Sequence, residues 1–256
     1  MKPFLILSFI TLLSSGLATA QNIRFPKEGV IEYEKRVNVH AEFRKNINKK
    51  TEMFLQPMFD QYKKSQPQFK VFKSTLTFSQ NASLFIPTEE APSNNFWSEF
   101  AALKQPNTVY TDFQNNNSIT QKKVYEQNYL LKDSVRNIKW KITSETREIA
   151  GYSCRRANAL IMDSIYVVAF YTDKIPVSGG PESFTGLPGM ILGVALPHEN
   201  ITWFATSVTD KAVVATSIKP PSKGKAANRE ELKNTIMSAF KNWGDYARAA
   251  LKAYLL

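Results

Sequence analysis

The sequence is poor in the residue types on which most enzymes depend. It contains one cysteine and two histidines among 256 residues. A single cysteine excludes an intramolecular disulfide, and the histidines have none of the HxH, HExxH or CxxC spacings of zinc sites. The chain also lacks a G-x-S-x-G nucleophile elbow and a phosphate loop with a lysine at a helix start. These absences disfavour the common hydrolase, zinc-dependent and nucleotide-binding classes.

Long apolar runs are missing beyond the first residues. Met1-Lys2 is followed by an apolar run over residues 4–13 and by the small residues Ala18-Thr19-Ala20. This pattern predicts a secretory signal peptide over residues 1–20, cleaved before Gln21. No later segment has the roughly 20 apolar residues of a membrane helix, and the residue directly after the cleavage site is Gln21 and not a cysteine that could carry a lipid. We therefore expect the mature chain in the periplasm or peripherally associated with the outer membrane.

The charge balance is strongly basic, with a formal net charge of +11 at pH 7. A charge of this size favours anionic lipid or an acidic polypeptide as a partner; a generally solvated basic surface is the alternative. No arginine-rich cluster with interleaved aromatic residues is present, and the predicted export signal also argues against nucleic acid as a partner.

The predicted mature chain, residues 21–256, is long enough for one domain with a substantial core, since 43% of the residues are hydrophobic. Cys154 lies between Tyr152 and Arg155 in a strand-like pattern. We interpret it as a small buried packing residue, with a reactive thiol as the alternative.

Short β-branched and aromatic segments separated by turn residues predict an antiparallel sheet. Ile138, Trp140 and Ile142 alternate with polar residues and give the clearest half-buried strand. The other predicted strands cover residues 30–34, two segments within 69–87, and 109–113, 119–125, 129–132, 154–162, 165–172, 201–208 and 212–218.

Two segments have helical periodicity. An apolar stripe recurs from Glu42 to Tyr62, and Pro57 should kink or end that inserted helix. The stripe comprises Phe43, Ile47, Phe54, Leu55, Met58, Phe59 and Tyr62. Asn228 followed by Glu231 predicts a capping box at the start of a C-terminal amphipathic helix from about residue 228. Its apolar face docks on the sheet or on a partner or membrane surface; that face comprises Leu232, Ile236, Phe240, Trp243, Ala247, Leu251 and Tyr254.

Residues 179–192 contain four glycines and two prolines in a segment otherwise suited to a buried strand. Pro188 fixes φ near −65° and Gly189 accepts a positive φ, so Leu187-Pro188-Gly189-Met190 predicts a type II turn. The turn should direct Met190 and the residues after it into the core. Glu182 is the only charged residue of this segment.

Six residues of this segment resemble the signature of the GLPGLI family of cell-envelope proteins from Bacteroidetes, with methionine replacing the second leucine: Gly186, Leu187, Pro188, Gly189, Met190 and Ile191. The similarity extends over about residues 138–205. It implies a secreted, mainly β protein of unsettled function, and it supplies no catalytic residues.

Together these features predict an α+β fold, mainly β, with a curved antiparallel sheet or half barrel packed against the inserted helix and the C-terminal helix. We expect a non-catalytic envelope binding or accessory protein without metal or cofactor. Its curved sheet and residues 186–191 would present an apolar groove to a peptide, a lipid-like ligand or an outer-membrane protein. The alternative is a periplasmic hydrolase or metal-handling protein that uses His198 and Glu199.

Overall fold

The computed structural model describes residues 25–89, 105–241 and 251–256, so the predicted signal peptide lies outside the described residues. Twelve strands form one open sheet in the order β12-β6-β5-β4-β3-β2-β1-β11-β10-β9-β8-β7. Neighbouring strands are antiparallel except β12 and β6, which are parallel. The predicted class, mainly β with helices around a curved sheet, is confirmed. The strands are β1 (Gly29–Asn38), β2 (Phe69–Phe78), β3 (Ala82–Pro87), β4 (Thr108–Asp112), β5 (Asn117–Val124), β6 (Gln127–Ser134), β7 (Lys141–Ile149), β8 (Tyr152–Ile161), β9 (Ile165–Thr172), β10 (Met190–Leu196), β11 (Ile201–Asp210) and β12 (Lys225–Ala227).

Strand β1 lies between β2 and β11 near the middle of the sheet. Successive side chains of a strand point to opposite faces. In β1 one face is buried, while the residues of the other face are partly or fully solvent-exposed. The buried face carries Ile31, Tyr33, Lys35 and Val37. A lysine therefore occupies a position that its neighbours mark as interior.

Three helices are described with their full bounds: α1 (Val39–Lys45), α2 (Glu52–Ser65) and α3 (Arg229–Ala239). The prediction of a single helix from Glu42 to Tyr62 is wrong, because residues 46–51 between α1 and α2 are not helical. There the Thr51 hydroxyl accepts from the backbone N–H of Asn48 at 2.9 Å and donates to the Asn46 carbonyl at 2.8 Å. Such local bonds compete with helical ones.

Pro57 lies inside α2 and does not end it, so that part of the prediction is wrong, while a kink at Pro57 stays a prediction. Proline removes one backbone bond to the carbonyl four residues earlier, and that carbonyl belongs to Met53, a strongly exposed residue of the first turn where water can replace the lost donor. Phe54, assigned to the apolar stripe, is 71% exposed. The stripe packs through other members, Phe43, Phe59 and Tyr62.

Two strand predictions fail. Residues 138–140 precede β7 as unpaired chain, and Ile142 is 40% exposed. Here the Trp140 indole N–H donates to the Thr185 carbonyl at 2.8 Å, which fixes the segment against the glycine-rich loop and not against a neighbouring strand. Residues 212–218 form no strand; they are irregular chain with a short 3-10 turn at Ala215–Ser217.

The C-terminal helix begins as predicted, with a reciprocal capping box between Asn228 and Glu231. Its described apolar residues Leu232, Ile236 and Phe240 are buried in a cluster with Val124, Tyr129 and Leu131 of the sheet. Docking on the sheet is thus confirmed for this part of the face, while Trp243 and Ala247 lie outside the described residues. None of the helices in the described ranges has the length and apolarity needed to cross a bilayer.

Candidate functional site

A cavity of about 440 Å³ lies against the buried face of the sheet. We call it the chamber. Phe184, Ile201 and Trp203 are among the apolar residues of its wall, and Lys35 and Glu182 are its buried charged residues. A side cavity of about 250 Å³ is lined by further apolar residues that include Phe72, Phe85 and Pro87. The two cavities share Lys35, Gln105, Glu182 and Trp203 as lining residues, so these four mark their junction.

Lys35 lies in a cross-strand row between two aromatic residues. It pairs with Phe72 of β2 on one side and with Trp203 of β11 on the other. Its Nζ lies 5.8 Å from the centroid of the Phe72 ring and 5.4 Å from that of the Trp203 ring. Because the side chain is only 7% exposed, burial lowers the pKa of Lys35, and the nearby Glu182 partly opposes that shift.

Glu182 belongs to the glycine-rich segment and has a left-handed backbone, with φ of 52°. It is 8% exposed. Its Oε2 accepts a hydrogen bond from Asn107 Nδ2 at 2.9 Å, and Asn107 Oδ1 accepts from Gln105 Nε2 at 3.1 Å. Burial raises the pKa of Glu182, although Lys35, the Asn107 hydrogen bond and Lys122 act in the opposite direction. An amide network therefore holds a buried carboxyl group at the cavity junction.

Residues 251–256 form another part of the chamber wall, through Lys252, Ala253 and Leu256. Three side chains of the interior donate to backbone carbonyls of this segment. Lys122 Nζ donates to Tyr254 at 2.6 Å, Arg136 Nη2 to Leu255 at 2.7 Å and Ser183 Oγ to Leu256 at 3.2 Å. Burial lowers the pKa of Lys122 to about 7. The segment is thus anchored by Lys122 of β5, by Arg136 of the chain after β6 and by Ser183 of the glycine-rich loop.

Four partly exposed charged residues of the chamber wall pair with one another; we call them the rim. Lys45 Nζ lies 2.7 Å from Glu42 Oε1 and 3.8 Å from Glu199 Oε2. Lys252 Nζ lies 3.3 Å from Glu199 Oε1. The charges of the rim are therefore mutually compensated, and such exposed pairs contribute little to stability.

The structure does not combine the histidines into a common site. His198 is exposed beside the rim, with its ring 6.4 Å from that of Tyr166, and its carbonyl accepts from Lys45 Nζ at 2.8 Å. His40 packs edge-on against Phe59 and Tyr62 and does not line the chamber. Across residues 25–89, 105–241 and 251–256 there is no group of three or more His, Cys, Asp or Glu residues suited to a metal ion.

Four of the signature residues 186–191 are buried, and the other two, Gly186 and Pro188, are exposed. Leu187, Met190 and Ile191 are buried, and the Tyr33 hydroxyl donates to the Ile191 carbonyl at 2.6 Å. Gly189 has the expected positive φ, 152°. The turn is not type II, however, because the Gly189 N–H donates to the Leu187 carbonyl at 2.8 Å in a three-residue γ-turn around Pro188.

None of residues 186–191 lines the chamber or the side cavity. The residues just before them do, since Glu182 lines both cavities and Phe184 lines the chamber. The structure therefore separates the six signature residues from the cavity-facing part of the same loop.

Sequence reasoning missed Lys35 and did not assign a role to Glu182. A signal was present for both. In β1, Lys35 continues the alternation of Ile31, Tyr33 and Val37, whereas Glu32, Glu34 and Arg36 occupy the other face. Glu182 is the lone charge in an otherwise apolar and glycine-rich loop. An ionisable group inside an apolar pattern is informative because burying a charge is costly.

Comparisons with known proteins give a partial match and a fold. A family described as "Protein of unknown function (Porph_ging)" matches residues 160–193, a segment that ends just after the signature residues. No curated protein matches the sequence.

The chain resembles PNGF-II in a C2 crystal form, with a TM-score of 0.51 and 16% identity over 81% of this chain and 32% of that one. For a P21 form the TM-score is 0.50 and the identity 17%, over 82% and 33%. This chain thus spans about a third of PNGF-II, and the likeness concerns the fold alone.

Proposed function

We propose that this protein is a non-catalytic binding protein of the cell envelope whose chamber holds an apolar or amphipathic ligand. The observation that carries the proposal is the chamber itself, about 440 Å³ in volume and walled by Phe184, Ile201 and Trp203. Ligand pockets typically have volumes of about 300–1,000 Å³, mostly apolar walls and a few placed polar groups. Lys35 and Glu182 are such groups. A lipid-like molecule or an apolar peptide segment fits this chemistry.

The hydrogen bonds and ion pairs of the chamber's polar groups support the binding proposal over covalent chemistry. Nucleophilic catalysis needs a nucleophile hydrogen-bonded to a base that a third group orients. Glu199 is instead paired with Lys45 and Lys252, and the Glu182 carboxyl accepts from an amide. Within the described residues, Ser183 Oγ bonds to the Leu256 carbonyl. The hydrolase or metal-handling alternative built on His198 and Glu199 is therefore the second outcome of the tests and not a second proposal.

On this proposal the six signature residues do not line the binding site. They stabilise the loop whose preceding residues line it. The segment passes from Glu182 and Phe184, which face the chamber, to Met190 and Ile191 in the core. The backbone of this loop also packs closely at Gly180, because a Cβ at this position would lie 2.6 Å from the Phe184 carbonyl oxygen. Tight packing of this loop would then fix where Glu182 and Phe184 stand.

The cellular location belongs to the same proposal. The apolar run and the Ala18-Thr19-Ala20 site support export to the periplasm or to a peripheral position on the outer membrane. Mass spectrometry of protein from the native host should find a chain that starts at Gln21 or its cyclised form. A chain that retains Met1 in the periplasmic fraction would contradict export by cleavage at this site.

The binding proposal is tested with the neutral fluorophore N-phenyl-1-naphthylamine, which brightens in apolar surroundings. Wild type should give saturable enhancement with one site per chain. Ala253→Phe fills the chamber from segment 251–256 and should abolish it. Val214→Phe introduces the same side chain at a strongly exposed position that lines neither cavity. This variant should therefore bind the fluorophore like wild type.

Two results would overturn the proposal. One is the absence of saturable enhancement in wild type. The other is equal binding by Ala253→Phe and wild type when both show cooperative thermal unfolding. Ester hydrolysis that disappears in His198→Ala would favour the alternative function.

A further inference from the structure

We infer that the ligand of the chamber is a single-chain amphiphile whose carboxylate head pairs with Lys35 at the junction of the two cavities. This inference rests on the proposed function and specifies its ligand. It starts from the charges of the cavity walls, continues with the hydrogen-bond donors beside Lys35, and ends with the shape of the apolar space.

One ammonium of the chamber wall, that of Lys35, forms no direct ion pair within the described residues. Glu42, Lys45, Glu199 and Lys252 pair with one another at the rim. Glu182 accepts from Asn107 Nδ2, and no ion pair within 4.0 Å joins it to Lys35 among the described residues. In that same part of the chain the Lys35 ammonium lies beside the faces of Phe72 and Trp203, and the Glu182 carboxyl acts on it from beyond ion-pair distance. Cation–π contacts replace part of the lost hydration of a buried ammonium but supply no hydrogen-bond acceptor.

A second donor beside Lys35 also lacks an acceptor. The indole N–H of Trp203 is buried and has no hydrogen-bond partner within the described ranges. Lys35 Nζ lies 5.4 Å from the centroid of the same ring. A buried donor without an acceptor is unfavourable, so two such groups at one cavity junction indicate an acceptor supplied by the ligand. A carboxylate supplies two oxygens and one negative charge.

One negative charge suits this site better than two. Lys35 is the cation of the chamber wall that forms no ion pair within 4.0 Å in the described part of the chain, and Glu182, which compensates its charge only in part, lines the same junction. A phosphate monoester carries a charge of roughly −1.5 to −2 at neutral pH, so it would face the buried carboxyl with an excess of negative charge. A carboxylate would match Lys35 through a charge-assisted hydrogen bond.

The apolar space begins at the same place. Lys35 and Trp203 line both cavities, Phe184 and Ile201 continue the wall of the chamber, and Phe72 and Phe85 that of the side cavity. A head group bound at Lys35 leaves the larger cavity for an alkyl chain. The rim charges are occupied by their own ion pairs.

The experiment measures displacement of N-phenyl-1-naphthylamine by dodecanoate, dodecyl phosphate and dodecanol, each below its micellar concentration. Wild type should prefer dodecanoate to dodecanol by at least about tenfold, the ratio that a charge-assisted bond supplies. Lys35→Met should lose this preference while still binding dodecanol, which also shows that the variant is folded. Lys35→Arg should keep the preference, and so should Lys123→Met, which removes an exposed lysine that lines neither cavity.

The outcomes separate the inference from the function on which it rests. Equal affinity for dodecanoate and dodecanol in wild type, or a preference that survives in Lys35→Met, overturns the role of Lys35 and leaves the binding function intact. Tighter binding of dodecyl phosphate than of dodecanoate overturns the carboxylate assignment. If none of the three displaces the fluorophore, the ligand is not a single-chain amphiphile. If the fluorophore itself does not bind, the proposed function fails as well.

Discussion

A Cβ atom on residue 189 would lie 2.1 Å from the backbone carbonyl oxygen of Thr172. Gly189 also has a φ of 152°, a conformation that residues with a side chain rarely adopt. Glycine is therefore required at this position by close contact with a backbone atom as well as by conformation. The contact joins the signature segment to the end of β9, directly before β10 enters the core.

This contact predicts that Gly189→Ala lowers the free energy of unfolding by more than about 3 kcal/mol, because a backbone atom must move to admit the methyl group. Gly151→Ala is the matched control, since Gly151 also has a positive φ, 79°, but a Cβ there meets nothing within 4 Å. It should cost only about 1–2 kcal/mol of backbone strain. Met190→Leu should cost less than about 1.5 kcal/mol. Urea unfolding measures all three, and equal losses for the two glycine variants would contradict the argument.

The buried cysteine gives a second prediction. Cys154 is fully buried, and burial raises the pKa of its thiol to about 12. Thiolate is the reactive form, so folded protein should not react with a thiol-specific disulfide reagent, whereas protein unfolded in urea should react once per chain. Cys154→Ser should lower the stability by about 1–3 kcal/mol by burying a hydroxyl in place of sulfur. Rapid labelling of the folded protein would favour the reactive-thiol alternative.

The sequence predicted those elements whose residues have one dominant local preference. The capping box of Asn228 and Glu231 is a local device, and α3 begins there. Strands β8 and β9 lie close to the predicted ranges 154–162 and 165–172. Residues 138–142 have a clear alternation of apolar and polar residues, yet the Trp140 indole binds the Thr185 carbonyl. That partner is distant in sequence, and no local pattern contains it.

The candidate site was harder to predict for a related reason. Residues 186–191 attract attention because glycine and proline restrict the backbone, but that restriction serves the packing of Gly189 against Thr172. The junction of the two cavities is instead lined by Lys35 and Glu182. These residues are distant in sequence and come near each other only when β1 and the glycine-rich loop pack together in the fold. Periodicity places Lys35 on the buried face of β1, and it cannot show that Phe72 and Trp203 flank the ammonium.

Lys122 predicts a pH dependence of stability. The pKa of Lys122 is lowered from 10.5 to about 7 in the folded protein. Between these values the unfolded chain binds a proton that the folded chain has released, so stability should rise as the pH increases from 7. One such proton contributes at most about 1.4 kcal/mol per pH unit. Urea unfolding at pH 7 to 9 should show this rise, and Lys122→Met should reduce it.

Part of the slope should remain in Lys122→Met, because burial also lowers the pKa of Lys35. The range stops at pH 9 because the raised pKa of Cys154 acts in the opposite direction above its ordinary value of 9.0. Lys123→Met is the matched control, since this neighbour is exposed and its removal should leave the slope unchanged. The same slope in wild type and in Lys122→Met would show that Lys122 stays protonated in the fold.

The carboxyl of Glu182 gives a prediction through its amide partner. In Glu182→Gln the new side-chain carbonyl can still accept from Asn107 Nδ2, whereas in Glu182→Leu that buried donor has no acceptor. An unsatisfied buried donor costs about 1–3 kcal/mol, so Glu182→Leu should be the less stable variant at neutral pH in thermal and urea unfolding. Comparable stability of the two would mean that the Asn107 bond does not position the carboxyl.

The last prediction separates the binding function from the catalytic or metal-handling alternative. The double variant His40→Ala/His198→Ala removes both histidines of the chain. His198 is exposed and His40 packs against Phe59 and Tyr62, so the double variant should lose some stability and still bind N-phenyl-1-naphthylamine with wild-type affinity. Ala253→Phe should show the reverse, a folded protein without binding. Metal analysis of purified wild type, with equimolar metal that disappears in the double variant, would support the alternative. Loss of fluorophore binding in His198→Ala alone would mean that the edge of the chamber, and not its apolar wall, determines what enters.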